Sequence, residues 1–172
     1  MKQLIYNKIK KPLRNLYNKY KFIRGGGFYG DLKLTDSEAS SDAYKKYLGG
    51  GADSWDKRGR FQLEFLKSMG LEPHHRLLDV GCGPIRGGVF FISYLLKGNY
   101  FGVEYNGDFV LLANRIINEN KLYNKAPKVA HISDFNFKVL GTGGNFDYVI
   151  AFSVLNHCND KQKRAFFFKY TI

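Results

Sequence analysis

The chain has 172 residues, 44% of them hydrophobic and 24% charged, enough apolar material for one domain with a buried core and too much for a disordered chain. No apolar run approaches the roughly 20 residues that span a bilayer, and the N-terminus lacks the apolar core and small-residue cleavage site of a signal peptide. Only two cysteines occur, Cys82 and Cys158; they have no metal-ligand spacing and read as reduced thiols of a cytoplasmic protein.

Net charge is +12, and residues 1–24 carry eight Lys or Arg and no acid. Pro12 suits the first turn of a helix, along which Leu13, Leu16, Tyr17 and Tyr20 form an apolar stripe beside Arg14, Lys19 and Lys21. The favoured reading is a helix packed on its own domain. Contact with an anionic membrane surface, which would make the protein peripheral at the membrane, is the alternative. Nucleic acid ranks last, because no recognised nucleic-acid motif interleaves with the charge. Glycines at 25–27 break the segment from the body and residues 31–42 read as a polar linker. Residues 1–46 are thus expected to be a basic amphipathic segment with its linker, and 47–172 the domain.

The first helix of that domain is predicted to begin near Ser54 and to end before Gly70, with Phe61, Leu63, Phe65, Leu66 and Met69 as its apolar surface. A strand follows at 76–80, where Leu77, Leu78 and Val80 suit burial on both faces. Gly81 and Gly83 then allow a sharp turn and close backbone approach to a ligand. The turn is expected to feed a helix over 87–96, with Gly98 as its C′ residue, so that free N–H groups at its start face a ligand. A second strand covers 100–104, and Asn106 or Asp108 caps a helix whose Phe109, Leu112, Ala113, Ile116 and Ile117 recur at helical spacing. Strands at 128–133 and 146–152 follow, joined by about one helical turn and a loop over 136–145, and 161–170 reads as a further helix. This order demands an α/β fold, a Rossmann-like parallel sheet with helices on both faces.

The run Leu-Leu-Asp-Val-Gly-Cys-Gly-Pro-Ile-Arg-Gly-Gly at 77–88 is the most informative in the chain. A dinucleotide fingerprint wants glycine three places after Gly83, where Arg86 would crowd a pyrophosphate. Asp79 would repel a pyrophosphate but attract the ammonium of a methionine moiety. Gly81 is not followed by the glycine-lysine-serine/threonine ending of a phosphate-binding loop. An adenosyl cofactor fits best, and ligands of open α/β sheets bind at such strand ends.

Residues 47–157 resemble the N-terminal part of a class I S-adenosylmethionine-dependent methyltransferase, with four segments matching in order. Asp79-Val80-Gly81-Cys82-Gly83 matches the glycine-rich first motif. Glu104, in Tyr-Phe-Gly-Val-Glu-Tyr-Asn, lies 25 residues after Asp79, where the family places an acid that accepts both ribose hydroxyls. Asp134 and Phe135 match the adenine contacts. Phe-Asp-Tyr-Val-Ile-Ala-Phe-Ser-Val-Leu-Asn-His at 146–157 resembles the fourth strand and the loop lining the pocket. The resemblance implies S-adenosyl-L-methionine as cofactor, held by Arg60, Asp79, Gly81, Cys82, Gly83, Gly87, Glu104, Tyr105, Asp134, Phe135 and Phe152. Arg60, near Trp55 on the first helix, pairs with the cofactor carboxylate on this reading; a solvent-facing arginine is the equal alternative.

The family's sheet has seven strands, whereas about four are readable here. A truncated or frame-interrupted enzyme is therefore expected, with the long apolar fourth strand as an exposed edge open to self-association. A naturally small variant that closes its sheet in another way is the alternative. The function implied is methyl transfer to an unidentified acceptor, against a non-catalytic cofactor-binding or interaction module and, ranked lower, a nicotinamide-dependent oxidoreductase. No catalytic residue is assigned. His157 either orients substrate as a base or, the favoured reading, makes structural hydrogen bonds, and His74 and His75 read as loop residues.

Overall fold

The computed structural model describes residues 33–35, 44–48, 52–133, 137–141, 145–161, 163, 164 and 166. The chain divides into two compact units, Met1–Leu32 and Lys33–Ile172. The basic helix expected within 1–24, the break at 25–27 and, apart from 33–35, the linker lie outside the described residues.

The second unit opens with a short helix α1 (Tyr44–Tyr47) and a longer α2 (Ala52–Ser68), followed by β1 (Leu77–Val80), α3 (Gly88–Tyr94), β2 (Tyr100–Glu104), α4 (Gly107–Glu119), β3 (Lys128–His131) and β4 (Tyr148–Ile150). The four strands form one sheet in the order β3-β2-β1-β4. All its pairings are parallel, with Leu77 beside Tyr100, Phe101 beside Lys128 and Leu77 beside Tyr148. The Rossmann-like α/β reading is what the chain adopts.

Side chains alternate between the two faces of the sheet, and each face has its own core. Leu77 and Tyr100 meet Trp55 and Leu66 of α2, Phe91 and Ile92 of α3, and Leu112, Ala113, Ile116 and Ile117 of α4. Burying each large apolar side chain is worth about 1.5–3 kcal/mol. On the opposite face Leu78, Val80, Phe101 and Val103 pack with Ile132, Leu140 and Phe166. Leu140 ends a 3-10 turn, Phe137–Leu140, which is the single helical turn expected in the last crossover. Asp160, Lys161, Lys163, Arg164 and Phe166 are helical, at the place of the expected final helix. Asn106, one of the two expected caps, is the N-cap of α4, its side chain accepting from the Asp108 N–H at 2.9 Å.

Three expectations are corrected by tertiary context. The buried face of α2 carries Trp55, Gly59, Gln62 and Leu66, while Phe61, Phe65 and Met69 are exposed. Gly59 and Gln62 face the turn before α3, where only a small or polar contact fits. The helix predicted over 87–96 ends at Tyr94, because Leu95 is already extended. Gly98, with φ of +83°, instead makes a separate turn whose N–H donates to Lys125. The fourth strand covers only Tyr148–Ile150 rather than 146–152. It runs beside β1, and among the described residues their pairing ends at Asp79 and Ile150.

Candidate functional site

The site is built at the carboxyl ends of β1 and β2. The N–H groups of Gly81 and Cys82 both donate to Val103 of β2, at 2.8 and 3.1 Å, which keeps the start of the turn stitched to the sheet. Gly81 and Gly83 have φ of +67° and +55°, the left-handed region that glycine enters without strain. A Cβ at Gly81 would strike the Val154 side chain from the segment after β4, whereas one at Gly83 would meet nothing within 4 Å. Gly81 is therefore packed, and Gly83 faces open space that a ligand can enter. Ile85 is fully buried with φ of +48°, a conformation costing a β-branched residue about 1–3 kcal/mol. The turn is tied to α3 by the Val89 N–H, which donates to the Ile85 carbonyl. Gly87, the N-cap of α3, stands against Gln62 of α2. Of the N–H groups expected to face a ligand at the start of α3, those of Val89, Phe90 and Phe91 donate to the Ile85 and Gly87 carbonyls.

Two carboxylates flank the turn. Glu104 accepts from the Gly83 N–H at 2.9 Å through Oε2 and from the Asn106 N–H at 2.8 Å through Oε1. Its burial raises its pKa, and the backbone hydrogen bonds, that of Asn106 foremost, act in the opposite direction. Asp79 accepts from the Tyr100 hydroxyl at 2.9 Å through Oδ2. Burial pushes its carboxyl up from 3.8 to about 7; the Tyr100 hydrogen bond and the charge of Arg86 oppose this, and the charge of Glu104 adds to it. Cys82 lies between the acids, its thiol pushed up by burial and then by Asp79 and Glu104, so it stays protonated and fills space. Two buried acids with raised pKa values suit a ligand that brings a cation and hydroxyl donors.

The other sequence-predicted residues are spread more widely. Tyr105, next to Glu104, is exposed, and its carbonyl pairs with His131 Nε2 at 2.8 Å. Phe152 is exposed just after β4, followed by Ser153 with φ of +58°. Arg60 is exposed on α2 and lies over the Phe90 ring of α3, 4.8 Å from its centroid. Asp134 and Phe135 lie outside the described residues. Arg86 does not act as the expected obstacle at the turn. Its Nη1 donates to the Leu48 carbonyl at 3.0 Å and its guanidinium lies over Trp55, binding the turn to α1 and α2. His157 is half-buried, which lowers its pKa, and its backbone N–H donates to the Val154 carbonyl.

Sequence reasoning missed Tyr100, the partner of Asp79, and Val154, the wall against Gly81. A tyrosine two residues before a glycine in a buried strand was the available signal for the first. The second lies in the 146–157 run read as lining the pocket, and what was missed is its contact with Gly81, which depends on where the chain turns after β4.

No protein-family model matches the chain, and no curated protein matches it. Among solved structures it is similar to magnesium protoporphyrin IX methyltransferase from Synechocystis PCC 6803 with bound SAM, at 18% identity and a TM-score of 0.54, covering 90% of this chain and 69% of that one. The same enzyme with bound SAH gives 17% identity and a TM-score of 0.52, covering 90% of this chain and 65% of that one. The chain thus spans about two thirds of the length of these structures. Sheet order, the strand-end glycine turn and these likenesses together give it the Rossmann-like fold of the class I methyltransferases.

Proposed function

We propose that this chain binds S-adenosylmethionine and transfers a methyl group from it to an acceptor. The observation that carries the reading is the pair of buried acids, Asp79 and Glu104, on either side of a glycine turn that is open at Gly83. Asp79 would hold the ammonium of the methionine end. Glu104 keeps its two backbone donors and retains lone pairs for the ribose hydroxyls, since a carboxylate offers about four acceptor sites. Gly81 and Gly83 allow the backbone approach, with Cys82, Gly87 and Tyr105 beside them. Asp134 and Phe135 serve adenine by resemblance, and Phe152 is placed beside the cofactor on the same resemblance. Arg60 is proposed for the carboxylate end, which requires it to leave Phe90.

When bound, the cofactor supplies an already activated methyl group. The protein's work is then alignment and exclusion of water, with a base needed only for an acceptor that is poorly ionised. No residue is assigned as that base.

Calorimetric titration with S-adenosylhomocysteine tests the reading. Saturable binding that is lost in Glu104→Ala and not reproduced by NAD supports it, and NAD binding in its place overturns it. The second reading is a cofactor-binding module without turnover. Binding without transfer of label to any acceptor, and without slow cofactor turnover, selects it. Contact of residues 1–24 with anionic membranes and self-association through β4 are proposed alongside. Vesicle co-sedimentation and gel filtration read them out. Among the described residues no helix is long and apolar enough to cross a membrane.

A further inference from the structure

Tyr100 begins β2 and faces the same side of the sheet as Asp79, because Leu77 pairs with Tyr100 and Asp79 with Gly102 and side chains alternate along a strand. The phenol can reach Asp79 only by lying over position 102. There a Cβ would stand 3.2 Å from the Tyr100 hydroxyl and 2.9 Å from the Cys82 sulfur. The slot is tighter still from the helix side, where a Cβ at Gly88 would stand 2.6 Å from the same hydroxyl. Phe91 of α3 stacks beside the ring, centroids 6.4 Å apart. Two positions without side chains, one in β2 and one in α3, thus make room for a single hydroxyl, which donates to Asp79 Oδ2 at 2.9 Å. Tyr100 is 2% exposed and Asp79 6%, so neither group has bulk water as a substitute partner.

We propose that Tyr100 is a positioning residue for the ligand's ammonium group, acting through Asp79: its hydroxyl fixes one carboxylate oxygen and favours the ionised form that holds a cation. The inference rests on the reading of the site as an S-adenosylmethionine site. One donor on Oδ2 leaves the carboxylate acceptor capacity for an ammonium, and a hydrogen bond to the charged form stabilises that form. The charged and titratable groups that face Asp79 are Tyr100 and Glu104 from β2, and Cys82 and Arg86 from the turn leading to α3. Of these, Tyr100 is the one that donates to the carboxylate.

The experiment is titration with S-adenosylhomocysteine across about pH 5.5–8.5 for the wild-type chain, Tyr100→Phe, Asp79→Asn, the double variant and Gly102→Ala. Wild-type affinity is expected to rise with pH and to level off once Asp79 is ionised. In Tyr100→Phe the midpoint moves up by about one pH unit, which is about tenfold weaker binding below the midpoint, and affinity returns at the alkaline end. A packing defect would not be reversed by pH. In the Asp79→Asn background Tyr100→Phe changes nothing, because the residue through which it acts is gone. Gly102→Ala crowds the hydroxyl without removing it, its added Cβ 3.2 Å from that oxygen and 2.9 Å from the Cys82 sulfur, and gives a smaller upward shift, which keeps the test alive if Tyr100→Phe does not fold. An unmoved midpoint, or a loss of the same size with and without Asp79, overturns the role of Tyr100 alone. Failure of the wild-type chain to bind at any pH overturns the cofactor reading beneath it.

Discussion

The centre and the margins of the sheet carry different kinds of residue. β1 and β2 are buried along their whole length, whereas β3 and β4 are exposed or half-buried at every position. Both acids of the site belong to the buried pair, Asp79 within β1 and Glu104 at the end of β2. Taking a carboxylate out of water costs several kcal/mol unless it is paired, and a margin strand could have carried such a residue at almost no cost. The acids therefore sit where they oppose folding most, at the strand ends beside the glycine turn. On the proposed reading that placement serves a ligand, since residues that break local rules concentrate at functional sites.

The most severe way to break this contrast is Glu104→Ala. Binding of S-adenosylhomocysteine is expected to weaken by at least about 100-fold, because charge-assisted hydrogen bonds are worth about 1.5–3 kcal/mol each. The Gly83 and Asn106 N–H groups also lose their acceptor. Calorimetry reads the affinity. Glu104→Gln, which keeps one acceptor oxygen, should fall between the two, and equal binding by all three would remove Glu104 from the site.

Asp79→Asn separates stability from binding. The folded carboxyl titrates near 7 against 3.8 for its ordinary value. Between those limits the folded chain holds a proton that the unfolded chain has lost, so wild-type stability falls as pH rises through this window and stays low above it. The amide variant escapes the penalty while still accepting from Tyr100. It should be more stable than wild type by about 2–4 kcal/mol at pH 8, with little gain at pH 4, while binding S-adenosylhomocysteine more weakly. Urea unfolding at both pH values checks the sign, and a variant equally destabilised at both would show that the charge is not what burial penalises.

Gly81→Ala tests the point where centre and margin touch. The added Cβ would face Val154 at a residue held at φ of +67°, and left-handed backbone costs an alanine about 1–2 kcal/mol before any clash. A loss of about 2 kcal/mol or more is expected in thermal unfolding. Gly83→Ala carries the same backbone cost but meets no neighbour, so its added loss should fall on ligand affinity.

The central region was also the part of the fold legible in the sequence. Strands buried on both faces read as continuous apolar runs, and the α4 stripe of Phe109, Leu112, Ala113, Ile116 and Ile117 repeats with the helical period, so both are encoded locally. Asp79 and the turn glycines were legible for the same reason, at a strand end that the pattern marks, whereas Glu104 was picked out by the resemblance to the methyltransferase motifs. Other features depend on which elements meet. The buried face of α2 is set by Gly59 and Gln62 meeting the turn before α3, and so it overrides the apolar stripe of Phe61, Phe65 and Met69. Arg86, read as an obstacle, holds Leu48 and Trp55 because α1 and α2 come to lie against its turn. The Tyr100–Asp79 bond needs the β1–β2 register and two glycines 14 positions apart, at 88 and 102, which no local pattern contains.

The smallest effect belongs to the margin. Val149, 36% exposed, is the middle residue of β4, and among the described residues β4 occupies one end of the strand order with a ladder on β1 alone. A lysine there keeps its stem along the sheet while its charge reaches water, so Val149→Lys should change stability by no more than about 0.5 kcal/mol and leave S-adenosylhomocysteine affinity unaltered. Its effect should fall instead on association between chains, since a charged edge strand resists pairing with a second copy. Gel filtration over a range of protein concentration distinguishes the outcomes. If the wild type associates and the lysine variant does not, β4 is the self-association edge. If the lysine variant instead unfolds or loses the ligand, β4 supports the site as directly as β2 does, and the division between centre and margin fails.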